Sequence, residues 1–336
     1  MKKILFVCLM MGLAFVTGCS AGSNEDKEQS VDVKESQELK QQISTESIDF
    51  SSLEGFQTLQ NDKITHIHGI GYPNSDSGLF IATHHGLKVY SDHLWFETKQ
   101  NNHDYMGFQA TQEGFFSSGH PEQGSDLKNP LGLQFSDDFG QTLEQVNFYG
   151  ESDFHYMAAS YESNQIYVVN EQPNSKIGTG LFFSKDGKDW IQSKLSGLPA
   201  VSANNLGVHP NLGHIVGLST PKGLYLSHDN GDTFSLFSEE VPVYAFVLKE
   251  NSILYVMENK GKFKLVEQPL ESDDLTDRKL PELAGNEVIT NVAISPNDEK
   301  EISIATNNGS VWISLDNGEN WTSIIEAGKI TTHHQS

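Results

Sequence analysis

Three stretches of this chain align with one another without a gap. His68-Gly-Ile-Gly-Tyr-Pro73 runs on through Thr83 to Gly86, Asn205-Leu-Gly-Val-His-Pro210 through Thr220 to Gly223, and Asn291-Val-Ala-Ile-Ser-Pro296 through Thr306 to Gly309. In each the proline precedes the glycine by 13 residues, and a threonine lies three before the glycine. A unit of this size cannot bury its own apolar face, so its copies must stack on one another. Glycines in matching positions fall at Gly86, Gly132, Gly180, Gly223, Gly261 and Gly309, at intervals of 46, 48, 43, 38 and 48. Around them lie short β-branched or aromatic runs bounded by Gly, Asn or Asp, such as Gly86 to Ser91, Gly180 to Ser184 and Val311 to Ser314, with no long amphipathic helix between. The pattern predicts an all-β fold: a β-propeller of six four-stranded blades over about 60 to 326, with seven as the alternative. The stretch from Val243 to Leu283 is its most degenerate repeat.

A second pattern follows the third strand of each unit. It reads Ser136-Asp-Asp-Phe-Gly140, Ser184-Lys-Asp-Gly187, Ser227-His-Asp-Asn-Gly231 and Ser314-Leu-Asp-Asn-Gly318. This resembles the Asp-box of sialidases, sortilin-type receptors and photosystem assembly-factor propellers. The residues suit a hairpin turn: Ser and Asp bond to nearby backbone, and Gly permits positive φ.

The N-terminus reads as an export signal. Lys2 and Lys3 precede an apolar run from Ile4 to Val16, and Val16-Thr-Gly-Cys19 closes it. The run is short for a transmembrane helix. It resembles a bacterial lipoprotein signal, which implies cleavage of residues 1–18, diacylation of Cys19, and a membrane anchor on the extracytoplasmic face. The only other cysteine, Cys8, lies in the removed segment, so no disulfide or thiolate metal site is expected. Residues 19–55, rich in Ser, Glu, Gln, Lys and Asp, read as an acidic tether with at most a short helix over Val33 to Gln42. The propeller is assigned to 56–328 and a tail to 329–336.

Charge excludes some partners. The chain carries 22 basic and 45 acidic side chains, net -23, and Arg278 is its single arginine. A nucleic-acid binder needs a basic face, which this composition does not supply.

Propeller geometry turns the repeats into a site. The start of each innermost strand and the turn between second and third strands reach the same face, converging on the channel mouth. Superposing units places His68, Asp104, His155, Asn205 and Asn291 at the first position, and His84, His120 and Glu171 at the second. Eight of the 13 histidines lie between His66 and His155. His66 and His68, two apart on a strand, should point the same way. Two chemistries compete for the cluster. His68, His84, His120, His155 and Asp104 suit zinc, copper or nickel, whereas Asp104, Asp153, Glu122 and Glu171 could supply the carboxylate pair of a glycoside hydrolase. The simplest alternative is structural, with these side chains bonding blade ends together and holding channel water. His209, His214 and His228 read as surface or turn residues, and His333 and His334 as a solvated tail.

The ordered motifs His66-Ile-His68-Gly69, Thr83-His-His-Gly86, Asp104-Tyr-Met-Gly-Phe108, Ser118-Gly-His-Pro121 and Asp153-Phe-His155 resemble those of a family of exported bacterial propellers labelled glycosyl hydrolases or sortilin-like proteins. A hydrolase label of that kind is analogy at the level of fold. Sialidases hold the substrate carboxylate with three arginines, and this chain has one, which argues against that activity. The expectation is a lipid-anchored propeller that binds a metal ion or small polar ligand at a His-rich mouth. A glycosidase other than a sialidase, or a module for binding a cell-envelope component, stands as the alternative.

Overall fold

Leu79 and Ile81 face one way from their strand and Phe80 and Ala82 the other, yet all four are buried. A strand that alternates in direction but not in polarity needs a packed layer on each side. The computed structural model, which describes residues 48–60, 63–75, 77–285 and 287–331, supplies both layers as neighbouring sheets.

There are six antiparallel sheets in a ring. The first joins β1 (Phe56–Thr58), β2 (Ile67–Gly71), β3 (Leu79–Thr83), β4 (Gly86–Ser91) and β5 (Leu94–Thr98). The second is β6 (Asp104–Thr111), β7 (Gly114–His120), β8 (Leu133–Ser136) and β9 (Glu144–Asn147), and the third β10 (Met157–Ala159), β11 (Ile166–Asn170), β12 (Gly180–Ser184) and β13 (Ile191–Gln192). The fourth is β14 (Asn205–Val208), β15 (Val216–Thr220), β16 (Gly223–Ser227) and β17 (Ser235–Leu236). β18 (Val243–Leu248), β19 (Ser252–Asn259), β20 (Lys262–Pro269) and β21 (Thr276–Arg278) form the fifth. The sixth is β22 (Ile289–Ile294), β23 (Ile302–Thr306), β24 (Val311–Ser314), β25 (Thr322–Glu326) and β26 (Lys329–Ile330). The innermost strands β2, β6, β10, β14, β18 and β22 touch in sequence, and β22 returns to β2. This is a six-bladed β-propeller. The repeat that is least regular in sequence makes a complete blade, whose β19 and β20 run for 8 residues each.

The core is divided among the blade interfaces. Phe80, Leu87 and Val89 of blade 1 meet Tyr105, Phe108 and Phe115 of blade 2, and Ala245 and Leu254 of blade 5 meet Ile302 and Ile304 of blade 6. Burial of each large side chain here is worth about 1.5–3 kcal/mol. The ring is sealed at its outer edge by the N-terminal stretch. Phe56 pairs with Thr98 of β5, Ile64 donates to the Gly328 carbonyl at 2.7 Å, and Lys63 bridges to Lys329.

That stretch also moves the expected tether boundary. Phe50 is fully buried among Phe56, Phe80, Phe96 and Phe139, with Ile48 and Leu53 beside it. Residues 48–55 therefore pack in the unit spanning Glu46–Ser336, and the tether of 19–55 is too long by at least these residues. The signal segment, Cys19, the short helix and His333 and His334 lie outside the described residues.

The Ser-x-Asp turns close by bonds of their own. Asp138 accepts from Ser136 Oγ at 2.9 Å and from Thr142 N at 2.8 Å, and Asp229 and Asp316 accept from their own serines and from Thr233 and Asn320 in the same way. Their carboxylates are spent on the fold.

Candidate functional site

Several innermost strands begin with an irregularity. Pairing slips by one residue between Ile67 and Gly69, between Tyr105 and Gly107, between Val243 and Ala245, and between Ile289 and Asn291. A bulge leaves one residue out of the ladder and re-aims its side chain. In blade 1 that residue is His68. In blade 2 Asp104 stands just before the slip, opposite His120.

His68 and the turn residue His84 meet Asp104 across the boundary between blades 1 and 2. His84 Nδ1 lies 2.7 Å from Asp104 Oδ1, His68 Nε2 3.6 Å from the same oxygen, and the two imidazole nitrogens 3.4 Å apart. All three residues are partly buried, and these donor atoms lie within 4.8 Å of one another. Burial and the neighbouring His84 push the His68 imidazole down to about 4, against the pull of Asp104. His68 is thus neutral at pH 7, with a lone pair to offer, as a metal ligand requires.

A second carboxylate repeats the theme across blades 2 and 3. Asp153 Oδ2 lies 3.2 Å from His120 Nε2 and 3.5 Å from His155 Nε2. Burial pushes the Asp153 carboxyl up, against the pull of His155 and His120. His120 Nδ1 is 2.7 Å from Asn129 Oδ1 and donates to it, which turns Nε2 towards Asp153.

The five expected metal ligands therefore divide. His68, His84 and Asp104 form one group, while His120 and His155 belong to Asp153. His66 is not on a strand: it has φ +45° and is exposed just before β2. Its ring still lies parallel to that of His68, with centroids 6.3 Å apart, and 4.8 Å from that of His84. Glu171 is exposed and its charge acts on Asp153, whereas Glu122 lies beside His103, which accepts from its backbone N–H at 3.1 Å. Asp104 and Asp153 are each engaged by two imidazoles. Asn205 donates to the Thr290 carbonyl at 3.2 Å and Asn291 accepts from Thr290 Oγ1 at 2.9 Å, placing them on the other side of the channel.

Two residues depart from the sequence reading. Asn129, the partner of His120, sits in the long turn between β7 and β8, and only its Asn-Pro dipeptide signals a turn. His209 is in a turn but is buried, its Nε2 donating to the Glu250 carbonyl at 2.9 Å. Arg278 lies on the outermost strand of blade 5, where it is ion-paired with Glu267. The one arginine is thus held by a carboxylate at the outer edge of its blade, which strengthens the case against sialidase chemistry.

No family model matches this sequence, and no curated protein does. Solved structures that resemble it are β-propellers. TolB from Acinetobacter baumannii matches with a TM-score of 0.51 and 14% identity over 77% of this chain and 62% of that one. The Cps50 (Swd1) β-propeller domain of Myceliophteria thermophila gives 0.50 and 9% over 82% and 88%. An ancestral GH74 enzyme gives 0.49 and 13% over 82% of this chain, which spans only 40% of that enzyme's length. At such identities the likeness shows the fold alone.

Proposed function

We propose that this protein is a binding propeller, lipid-anchored through Cys19 on the extracytoplasmic face, that holds a divalent transition metal at the mouth of its channel. The observation that carries this reading is the convergence of His68, His84 and Asp104 within 4.8 Å. Bonds of about 2.0–2.1 Å set the donors around a tetrahedral ion roughly 3.4 Å apart. The 3.4 Å and 3.6 Å separations made by His68 meet that requirement, and the 2.7 Å contact of His84 with Asp104 opens once a metal replaces the shared proton. Two imidazoles and one carboxylate suit zinc or copper and leave a position for a ligand.

The test is metal analysis and titration calorimetry with zinc and copper on untagged mature protein, in a background carrying His333→Ala and His334→Ala. One equivalent should bind, and His68→Ala/His84→Ala should bind none. Absence of both bound metal and a thermal shift with either ion overturns the reading. Labelling with a fatty-acid analogue, abolished in Cys19→Ala, tests the anchor.

A further inference from the structure

The channel behind the His-rich mouth holds a cavity of about 470 Å³, within the range of small-molecule sites. All six innermost strands line it, and its lining runs on past their ends, through residues such as Tyr161 and Pro296, so it opens on the face opposite the histidines. Its chemistry is graded along the axis. The inner end, at the level where β14 and β22 begin, carries the amides of Asn205 and Asn291 and no charged group. The charged lining residues, Glu162, Lys249, Glu250 and Glu299, all follow the ends of first strands, so they stand at the outer end. Lys249 is ion-paired with Glu267 at 2.8 Å and with Glu299 at 2.9 Å.

Hydrogen-bond accounting narrows the occupant. Asn205 donates one N–H to the Thr290 carbonyl, and Asn291 accepts from the Thr290 hydroxyl. Among the described residues the Asn205 oxygen and the Asn291 NH2 make no hydrogen bond, so the inner end offers both an acceptor and donors. A hydroxyl group answers both at once. An ammonium ion would lose its hydration there without a carboxylate to replace it, and an anion would have to pass the outer carboxylates. Hydroxyls at the other end of a ligand can donate to Glu162 and Glu250.

We propose that this cavity is a second binding site, separate from the metal site, for a neutral polyhydroxylated molecule of saccharide size, held at its inner end by Asn205 and Asn291. Saturation-transfer NMR and calorimetry on the untagged mature protein test it, with glucose, N-acetylglucosamine and cellobiose as neutral probes and putrescine and citrate as charged ones. At least one saccharide should bind saturably, and its affinity should fall about tenfold in Asn291→Ala, the loss expected for one buried hydrogen bond. Glu250→Ala, at the outer end, gives a second reading should Asn291→Ala unfold. His68→Ala/His84→Ala should leave saccharide binding unchanged, and Asn291→Ala should leave zinc binding unchanged, so the two sites stand or fall apart. The proposal is overturned if no saccharide binds, if binding is equal in the wild type and both cavity variants, or if only putrescine or citrate binds.

Discussion

His84 reaches across a blade boundary to place its Nδ1 2.7 Å from Asp104 Oδ1. The contact joins the second-to-third-strand turn of blade 1 to the first strand of blade 2, so the same carboxylate that locks two blades together orients the imidazole. Asp104→Asn keeps the shape and removes the charge. Zinc affinity measured by competition with a chromogenic chelator should then fall by about 100-fold, at the upper end of what a change to a supporting carboxylate costs and reasonable for a ligand. Thermal stability of the metal-free protein should change far less, because the contact is partly exposed.

Acid should weaken the metal-free fold in two stages. His68 titrates at about 4 in the folded protein, against an ordinary 6.5, so between these values the unfolded chain binds the extra proton and stability falls as pH falls. Glu267 behaves in the window below. Burial opposes its ionisation, but hydrogen bonds from Lys249, Arg278 and Ser252 overcome that and hold it at about 2, against an ordinary 4.5. Its contribution is present above 4.5 and is lost as pH falls towards 2. Each stage amounts to no more than about 3 kcal/mol. Urea midpoints measured from pH 7 to pH 2.5 should decline across both windows, and His68→Gln should make the upper decline shallower and leave the lower one unchanged, the rest of the upper decline belonging to His103 and His209, which burial also holds below 6.5.

Phe50 ties the stretch before β1 to the first blade interface. Its ring centroid lies 4.9 Å from that of Phe56, 5.8 Å from Phe80 and 5.5 Å from Phe139. Phe50→Ala should cost about 3–5 kcal/mol by calorimetry or denaturant titration, the usual loss for a buried phenylalanine. A residue in a solvated tether would show no change.

These residues also show what the sequence could and could not disclose. The blades were legible because each repeats a turn with strict backbone demands: Gly86, Gly180 and Gly223 open third strands, as their spacing predicts. His68, His84 and Asp104 were legible because equivalent blade positions must converge on one mouth. The division of the histidines was not. It depends on Asp153, which occupies in blade 3 the place of His66 in blade 1, and on a one-residue bulge at His68 that leaves no mark in composition. Phe50 was hidden because one aromatic does not change the average of a polar segment. The role of Asn291 depends on which half of its amide Thr290 occupies, and only coordinates show that.

Gly119 holds the strand that carries His120 against the strand that carries Asp104. It pairs with Tyr105 at φ +147°, and a Cβ there would lie 1.9 Å from the Asp104 carbonyl oxygen. Neither backbone can yield without shifting both histidine groups. Gly119→Ala should therefore destabilise by about 3 kcal/mol, lowering Tm by roughly 6–12 °C for a domain of this size. It should also weaken zinc binding, since Asp104 moves with its carbonyl. Gly124, in the following turn, is the control: it too has positive φ, +89°, but a Cβ there would meet nothing within 4 Å. Gly124→Ala should cost only the backbone strain, about 1 kcal/mol, and leave zinc affinity unchanged. Equal effects of the two substitutions on Tm and on zinc binding would show that the contact between these strands does not organise the site.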